Sequence, residues 1–242
     1  MLKFRVIFFL FIVLFFSGCA TTLKKSPYFD QVIPNVKTIA VMPPDIEVYK
    51  LTAGGVRELI DEWSDTAKQL TQNALQDYFS QRYGFKVKFI LEDWLKNNYK
   101  ELWKTNQSLY NAVVAAALTH AYYGPNVFRD KLTNFDYTLG SEIQELAKAC
   151  DADALLFING VDHEATAGRI ALLVWDIIVG AATGTTIIPL NPSFMSVGLI
   201  DAKSGDVEYL KVNNSDTEYS FINKKQIDIL VEWLTRDFSI KK

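Results

Sequence analysis

The sequence predicts an α/β domain: a mixed β-sheet of about five strands flanked by helices, with one long amphipathic helix after the first strand and a helix at the C-terminal end. Three observations lead there. Ala154-Leu-Leu-Phe-Ile-Asn-Gly-Val161 is a continuous apolar run of strand length, the pattern of a strand covered on both faces. Leu59, Trp63, Ala67, Leu70, Ala74 and Tyr78 recur at three and four residues, which is one stripe of a helix. Strand-like and helix-like segments then alternate along the chain, the order expected of layered α/β folds.

Taken in order, Lys37-Thr-Ile-Ala-Val-Met-Pro-Pro reads as a short strand halted by two prolines and followed by a loop, because proline cannot donate to a ladder. Gly54-Gly55 separates that loop from the long helix. Gly84-Phe-Lys-Val-Lys-Phe-Ile alternates apolar and basic residues and reads as a half-buried strand near a sheet edge. A helical insertion over about 92–135 follows, with helices at about Glu92 to Lys104 and Leu109 to Ala121. Ser141-Glu-Ile-Gln144 has capping-box spacing and opens a helix ending near Cys150, which leads into the Ala154 strand. Phe194 to Ala202 and Asp206 to Val212 form a β-hairpin around Lys203-Ser-Gly205. Asn223 caps a last helix carrying Ile227, Leu230, Val231, Leu234 and Phe238 on one face.

Ahead of this body, Lys3 and Arg5 precede an apolar run from Val6 to Phe16, the layout of a signal peptide and too short for a stable membrane span. Ser17-Gly18-Cys19 resembles the lipobox of bacterial envelope lipoproteins. The resemblance implies cleavage after residue 18, acylation of Cys19 and attachment to the membrane through that lipid, since two or more chains anchor stably. Ala20 stands where lipoproteins retained in the inner membrane usually carry Asp. In a diderm cell this implies the outer membrane facing the periplasm, and otherwise a cell-membrane lipoprotein. Residues 19–36, with two prolines and no sustained period, read as a flexible tether, and 37–242 as a single periplasmic domain.

Three stretches, Lys37 to Pro43, Leu146 to Phe157 and Val197 to Val207, resemble the TolB N-terminal and CsgG-like α/β fold family. That resemblance implies a related periplasmic fold and raises an oligomeric secretion or pore component as one role.

Removing Lys3 and Arg5 from the 25 Lys and Arg leaves 23 against 28 Asp and Glu, a charge of about −5, which does not suit nucleic-acid binding. With Cys19 taken by lipid, Cys150 lacks an intramolecular disulfide partner and reads as a small core residue. Asp162-His163-Glu164 is the one cluster suggestive of catalysis, an imidazole base between two carboxylates that could orient it. Only one other histidine, His120, exists, so no metal site is expected, and no cofactor fingerprint occurs. Ser239 and Lys242 meet a Ser-x-x-Lys spacing by chance at the chain end.

The body's unusual feature is an apolar segment over 169–190. Asp176, Gly180, Gly184 and Pro189 interrupt it, so a simple transmembrane helix is disfavoured, and strict alternation is missing for a membrane hairpin. It reads as a buried crossover helix, or as a self-assembly or lipid-contact patch with Arg169, Trp175, Asp176, Gly180 and Gly184 as its interaction residues. The expectation is a lipid-anchored, non-catalytic interaction or assembly module of the bacterial envelope that meets a protein partner or itself. An envelope hydrolase using His163 as base is the alternative.

Overall fold

A computed structural model describes residues 23–80, 86–123, 129–183, 193–215 and 219–238. The expected signal peptide, Cys19, Gly184, Pro189 and the Ser239 to Lys242 motif lie outside the described residues.

The sheet is mixed and has eight strands. β1 (Leu23–Lys25), β2 (Thr38–Val41), β3 (Asp45–Leu51), β4 (Arg57–Leu59), β5 (Lys86–Phe89), β6 (Ala154–Ala165), β7 (Ser193–Asp201) and β8 (Val207–Ser215) run in the order β1-β8-β7-β6-β2-β5, with β3 also on β6 and β4 on β3. The helices are α1 (Phe29–Val32), α2 (Asp61–Ser80), α3 (Glu92–Asn98), α4 (Lys100–Ala117), α5 (Arg129–Thr133), α6 (Ile143–Cys150), α7 (Ala167–Thr183) and α8 (Lys224–Thr235). The mixed α/β class read from the sequence is the observed one. Five of the strands, β2, β5, β6, β7 and β8, are those the apolar patterns predict.

β6 is the spine. On one edge it pairs antiparallel with β7, from Ala154↔Asp201 to Val161↔Phe194. On the other edge two strands share it, both parallel: β2 beside Ala154 to Leu156, then β3 beside Asn159 to Ala165. Pro43 and Pro44 fall at the junction, where Met42 N–H still reaches the Leu156 carbonyl at 2.9 Å and pairing resumes at Asp45. Three residues there oppose two, a bulge made by residues that cannot donate. The prolines thus interrupt the edge without ending it, so the expected loop is a strand. Ile46 and Val48 point inward and Glu47 outward, and the Gly54-Gly55 turn closes a β3–β4 hairpin with Gly55 at φ +80°.

Two apolar layers cover the sheet. On one face Ile39, Val41, Leu156, Ile158, Met195 and Val197 meet Ala67 and Leu75 of α2 and Leu230 and Leu234 of α8. On the other, Ala40, Met42, Leu155, Phe157, Leu210 and Val212 meet Leu95, Tyr110 and Val114 of the helical insertion and Leu146 of α6. The buried side of α2 includes Ser64, whose hydroxyl donates to the Ile60 carbonyl at 3.0 Å and accepts the Val48 N–H at 2.9 Å. Leu59, expected on that stripe, is instead in β4 and exposed.

Two local expectations are corrected. The capping box at Ser141 does not form: Glu142 takes the N-cap position without a side-chain bond, and Gln144 Nε2 donates to the Lys203 carbonyl at 2.8 Å. From Leu23 on, the stretch expected to be a flexible tether (19–36) is part of the fold. β1 pairs with β8 from Leu23, and Phe29, Ile33 and Val36 are buried in the α2/α8 layer. Their three- and four-residue spacing is a helical stripe that Pro27 and Pro34 obscure; proline is tolerated in a first helical turn, and Pro34 opens the 3₁₀ turn Ile33–Asn35.

The hairpin turn after β7 requires glycine. Gly205 has φ +81°, and a Cβ there would sit 2.2 Å from the Gly140 carbonyl oxygen. Cys150, the last residue of α6, is buried, as a core residue should be, and burial pushes its thiol up to about 11.

Candidate functional site

Asp162, His163 and Glu164 lie within β6, each paired with β3, not beyond the strand's end. Successive side chains in a strand point to opposite faces. Asp162 and Glu164 therefore share the α2/α8 side with Leu156 and Ile158, while His163 lies on the other. Asp162 Oδ1 accepts the backbone N–H of His163 at 2.8 Å, and Oδ2 accepts the N–H of Phe221 at 2.8 Å. Glu164 accepts the Ser220 hydroxyl. His163 is buried and stacks on Tyr49 of β3, ring centroids 5.6 Å apart, as its register partner.

These contacts correct the expectation that the flanking carboxylates orient the imidazole. They tie the 220–221 segment, just ahead of α8, to the sheet. Burial, first, and the neighbouring charge of Glu164 push the Asp162 carboxyl up to about 7, against the pull of its backbone donors. A cavity of about 520 Å³ opens at the other end of β6, between Gln31, Asn35, Gln144, Lys148, Asp153 and Lys203, remote from His163. Among the described residues no group of three His, Cys, Asp or Glu side chains could hold a metal ion.

A second polar group, which the sequence reading did not single out, crosses the insertion side of the sheet. The Tyr110 hydroxyl and Ser196 Oγ lie 2.9 Å apart, Ser196 donates to Asn159, Asn159 Nδ2 donates to Asn111 Oδ1 at 2.8 Å, and Asn111 Nδ2 donates to Asp45 at 2.9 Å. The available signal was Asn159 itself, a polar residue inside an apolar run. Gly198 lies beneath Tyr110, whose Cε2 would be 2.5 Å from any Cβ there. The chain uses interlocking amides and hydroxyls to seat α4, a structural arrangement with no free nucleophile–base pair.

α7 is the region that departs from ordinary packing. Its charged residues point in: Arg169 and Asp176 are 7% and 8% exposed. Four of its apolar residues point out: Trp175 is 64% exposed, Ile170 and Val174 52%, and Leu172 40%. Arg169 and Asp176 are seven residues apart, two helical turns, so they fall on one side, with half-buried Leu173 between them. The buried crossover helix expected here is thus not what these side chains form. The interaction residues of the 169–190 segment separate accordingly: Trp175 on the outer face, Arg169 and Asp176 on the inner, Gly180 within α7 with no side-chain environment described, and Gly184 beyond the described residues. Among the described residues no helix is long and apolar enough to cross a membrane.

No protein-family model matches the chain, and no curated protein sequence matches it. Among solved structures it is similar to the PelC dodecamer from Paraburkholderia phytofirmans, at 9% identity and a TM-score of 0.38 over 91% of this chain and 96% of that one. It is also similar to the lipoprotein GNA1162 from Neisseria meningitidis, at 12% identity and a TM-score of 0.35, covering 83% of this chain and 96% of that one. The LpoB C-terminal domain from Salmonella enterica follows, at 11% identity and a TM-score of 0.28, covering 78% and 96%. A TolB or CsgG family is not shown by these comparisons. With scores this low, the functional reading rests on the geometry of this molecule.

Proposed function

We propose that this chain is a lipid-anchored, non-catalytic interaction module of the bacterial cell envelope, attached through Cys19 and facing the periplasm, with the outer face of α7 as its contact surface. The observation that carries the reading is the inversion of α7, which buries two charged residues and leaves four large apolar ones in solvent. Contiguous exposed apolar surface is uncommon on soluble domains and marks contact sites. The placement of Asp162 and Glu164 on one face of β6 and His163 on the other removes the motivation for a His163-based hydrolase.

The test is photo-crosslinking in cells, with a diazirine side chain placed singly across 169–176. Adducts to another molecule are expected from positions 170, 172, 174 and 175, and few from the inward positions 169 and 176. If the outward positions yield no more than Lys68 on the wet side of α2, the surface assignment is wrong.

A further inference from the structure

The position of α7 in the sheet indicates what covers it. β1 pairs antiparallel with β8, Lys25 opposite Tyr209 and Leu23 opposite Lys211, so tracing back toward Cys19 leads along β8 toward Ser215. Ser215 pairs with Ser193, and the adjoining Phe194 pairs with Val161 of β6. β6 continues to Ala165 and α7 starts at Ala167. The chain therefore leaves β1 heading toward the end of the sheet from which α7 departs, with Leu23 level with Ile158 through Lys211 and Val197. Across the strands, β1 and β6 are three spacings apart, about 14 Å.

Cys19 is also close in sequence. It is four positions before Leu23, a reach of at most about 14 Å. With β1 held in the sheet, an acylated Cys19 leaves the body little freedom to stand off the bilayer. Whatever end of the sheet β1 points to must face the membrane.

We infer that the outer face of α7, Ile170, Leu172, Val174 and Trp175, seats on the surface of the lipid bilayer that holds Cys19, as a second point of membrane contact. The inference rests on the lipid anchor proposed above and names the occupant of the α7 surface. The chemistry suits an interfacial position. Tryptophan is favoured at the headgroup level, where its ring meets both apolar and wet surroundings. A helix of 17 residues is about 25 Å long and falls short of the roughly 30 Å hydrocarbon core, so α7 would lie on the membrane and not cross it. Asp176, which opposes insertion of this segment as a span, is on the protein side of the helix and never enters lipid. In an ordinary interfacial helix the polar face meets water; here it meets the body, so that the domain is held in one orientation with the cavity beside Lys148 and Lys203 at the end away from the bilayer.

The full-length lipidated protein, reconstituted into phosphatidylethanolamine/phosphatidylglycerol vesicles, provides the test. An environment-sensitive fluorophore is attached in a Trp175→Cys variant and, separately, in Lys203→Cys at the hairpin turn; Cys150 is buried and its thiol is suppressed, so labelling is selective. Flotation of the vesicles reports the anchor independently of the label. The expected result is that both proteins float, that the label at 175 shifts to the blue and loses most of its fluorescence to nitroxide-bearing acyl chains, and that the label at 203 does neither. Flotation with an unquenched label at 175 overturns the lipid contact and leaves the anchor standing. A blue shift at 175 without lipid quenching, accompanied by crosslinked dimers, overturns it in favour of a second copy. Failure to float overturns the anchor and, with it, the inference built upon it.

Discussion

α7 and α8 are built from similar material and used in opposite ways. α8 buries Ile227, Leu230, Val231 and Leu234 against the sheet, and its wet side carries Lys224, Lys225 and Glu232, with Ile229 the one large apolar residue left outside. α7 buries Arg169 and Asp176 and exposes Ile170, Leu172, Val174 and Trp175. The stability of α8 is therefore explained within the molecule, by an apolar stripe meeting a core. Ile170, Leu172, Val174 and Trp175 of α7 meet no such surface among the described residues, which directs attention to what lies beyond the domain.

The sharpest way to break this comparison is a matched pair of truncations. Leu230→Ala removes a fully buried side chain and is expected to cost about 2–5 kcal/mol of unfolding free energy, the range for cavities left in packed cores. Leu172→Ala removes the same atoms from a surface 40% exposed and is expected to change stability by no more than about 0.5 kcal/mol. Urea denaturation of the two variants measures both. Equal losses would mean that α7 is packed as α8 is, and the contrast would disappear.

Asp162 links the two helices, holding the Phe221 N–H ahead of α8 from the strand that runs into α7. Asp162→Asn keeps the size but replaces one acceptor with a donor facing a backbone N–H, and is expected to cost about 1–3 kcal/mol at neutral pH. Its pH dependence carries a definite sign. An unfolded aspartate titrates near about 3.9, whereas burial lifts the folded carboxyl to about 7. The folded state therefore binds the proton more tightly than the unfolded state. The stabilisation is fully present below about pH 3.9 and is lost as pH rises through about 7. Thermal melting of the parent between pH 5 and 8, chosen to bracket roughly that upper range, is expected to fall more steeply than that of Asp162→Asn. A parallel pair of curves would show that Asp162 is ionised throughout.

How much of this was legible beforehand follows from pattern strength. β6, the β7–β8 hairpin and α8 each carry a long, single-period signal and a clear stop, Gly205 at the turn and Asn223 at the cap, whose side chain accepts the Gln226 N–H. β1, β3 and β4 were missed because they are short or adjoin prolines; strand pairing to β8 and β6 supplies the order that local sequence does not. At the site, the apolar segment was visible but its orientation was not, since hydropathy alone cannot tell a buried face from an exposed one. The spacing of Arg169 and Asp176 did contain the answer. Two charges on one side of an otherwise apolar helix imply two different environments, and only the fold says which of them is inside. For Asp162-His163-Glu164 the period of two within a strand was decisive, and reading the triplet as a strand end concealed it.

A substitution with little expected effect on stability bears most on function. Val174→Ser and Trp175→Ser together should leave the unfolding free energy within about 1 kcal/mol of the parent, because both side chains are more than half exposed and lose little burial. Circular dichroism and urea melts check that. In the same variant, the adducts from position 170 in the photo-crosslinking assay should fall sharply, since the proposed contact surface around it is gone. A loss of fold together with loss of contact would make α7 a structural helix. Loss of contact with the fold intact is the outcome that requires an occupant outside the domain, because no internal packing then remains to account for four apolar side chains held in water.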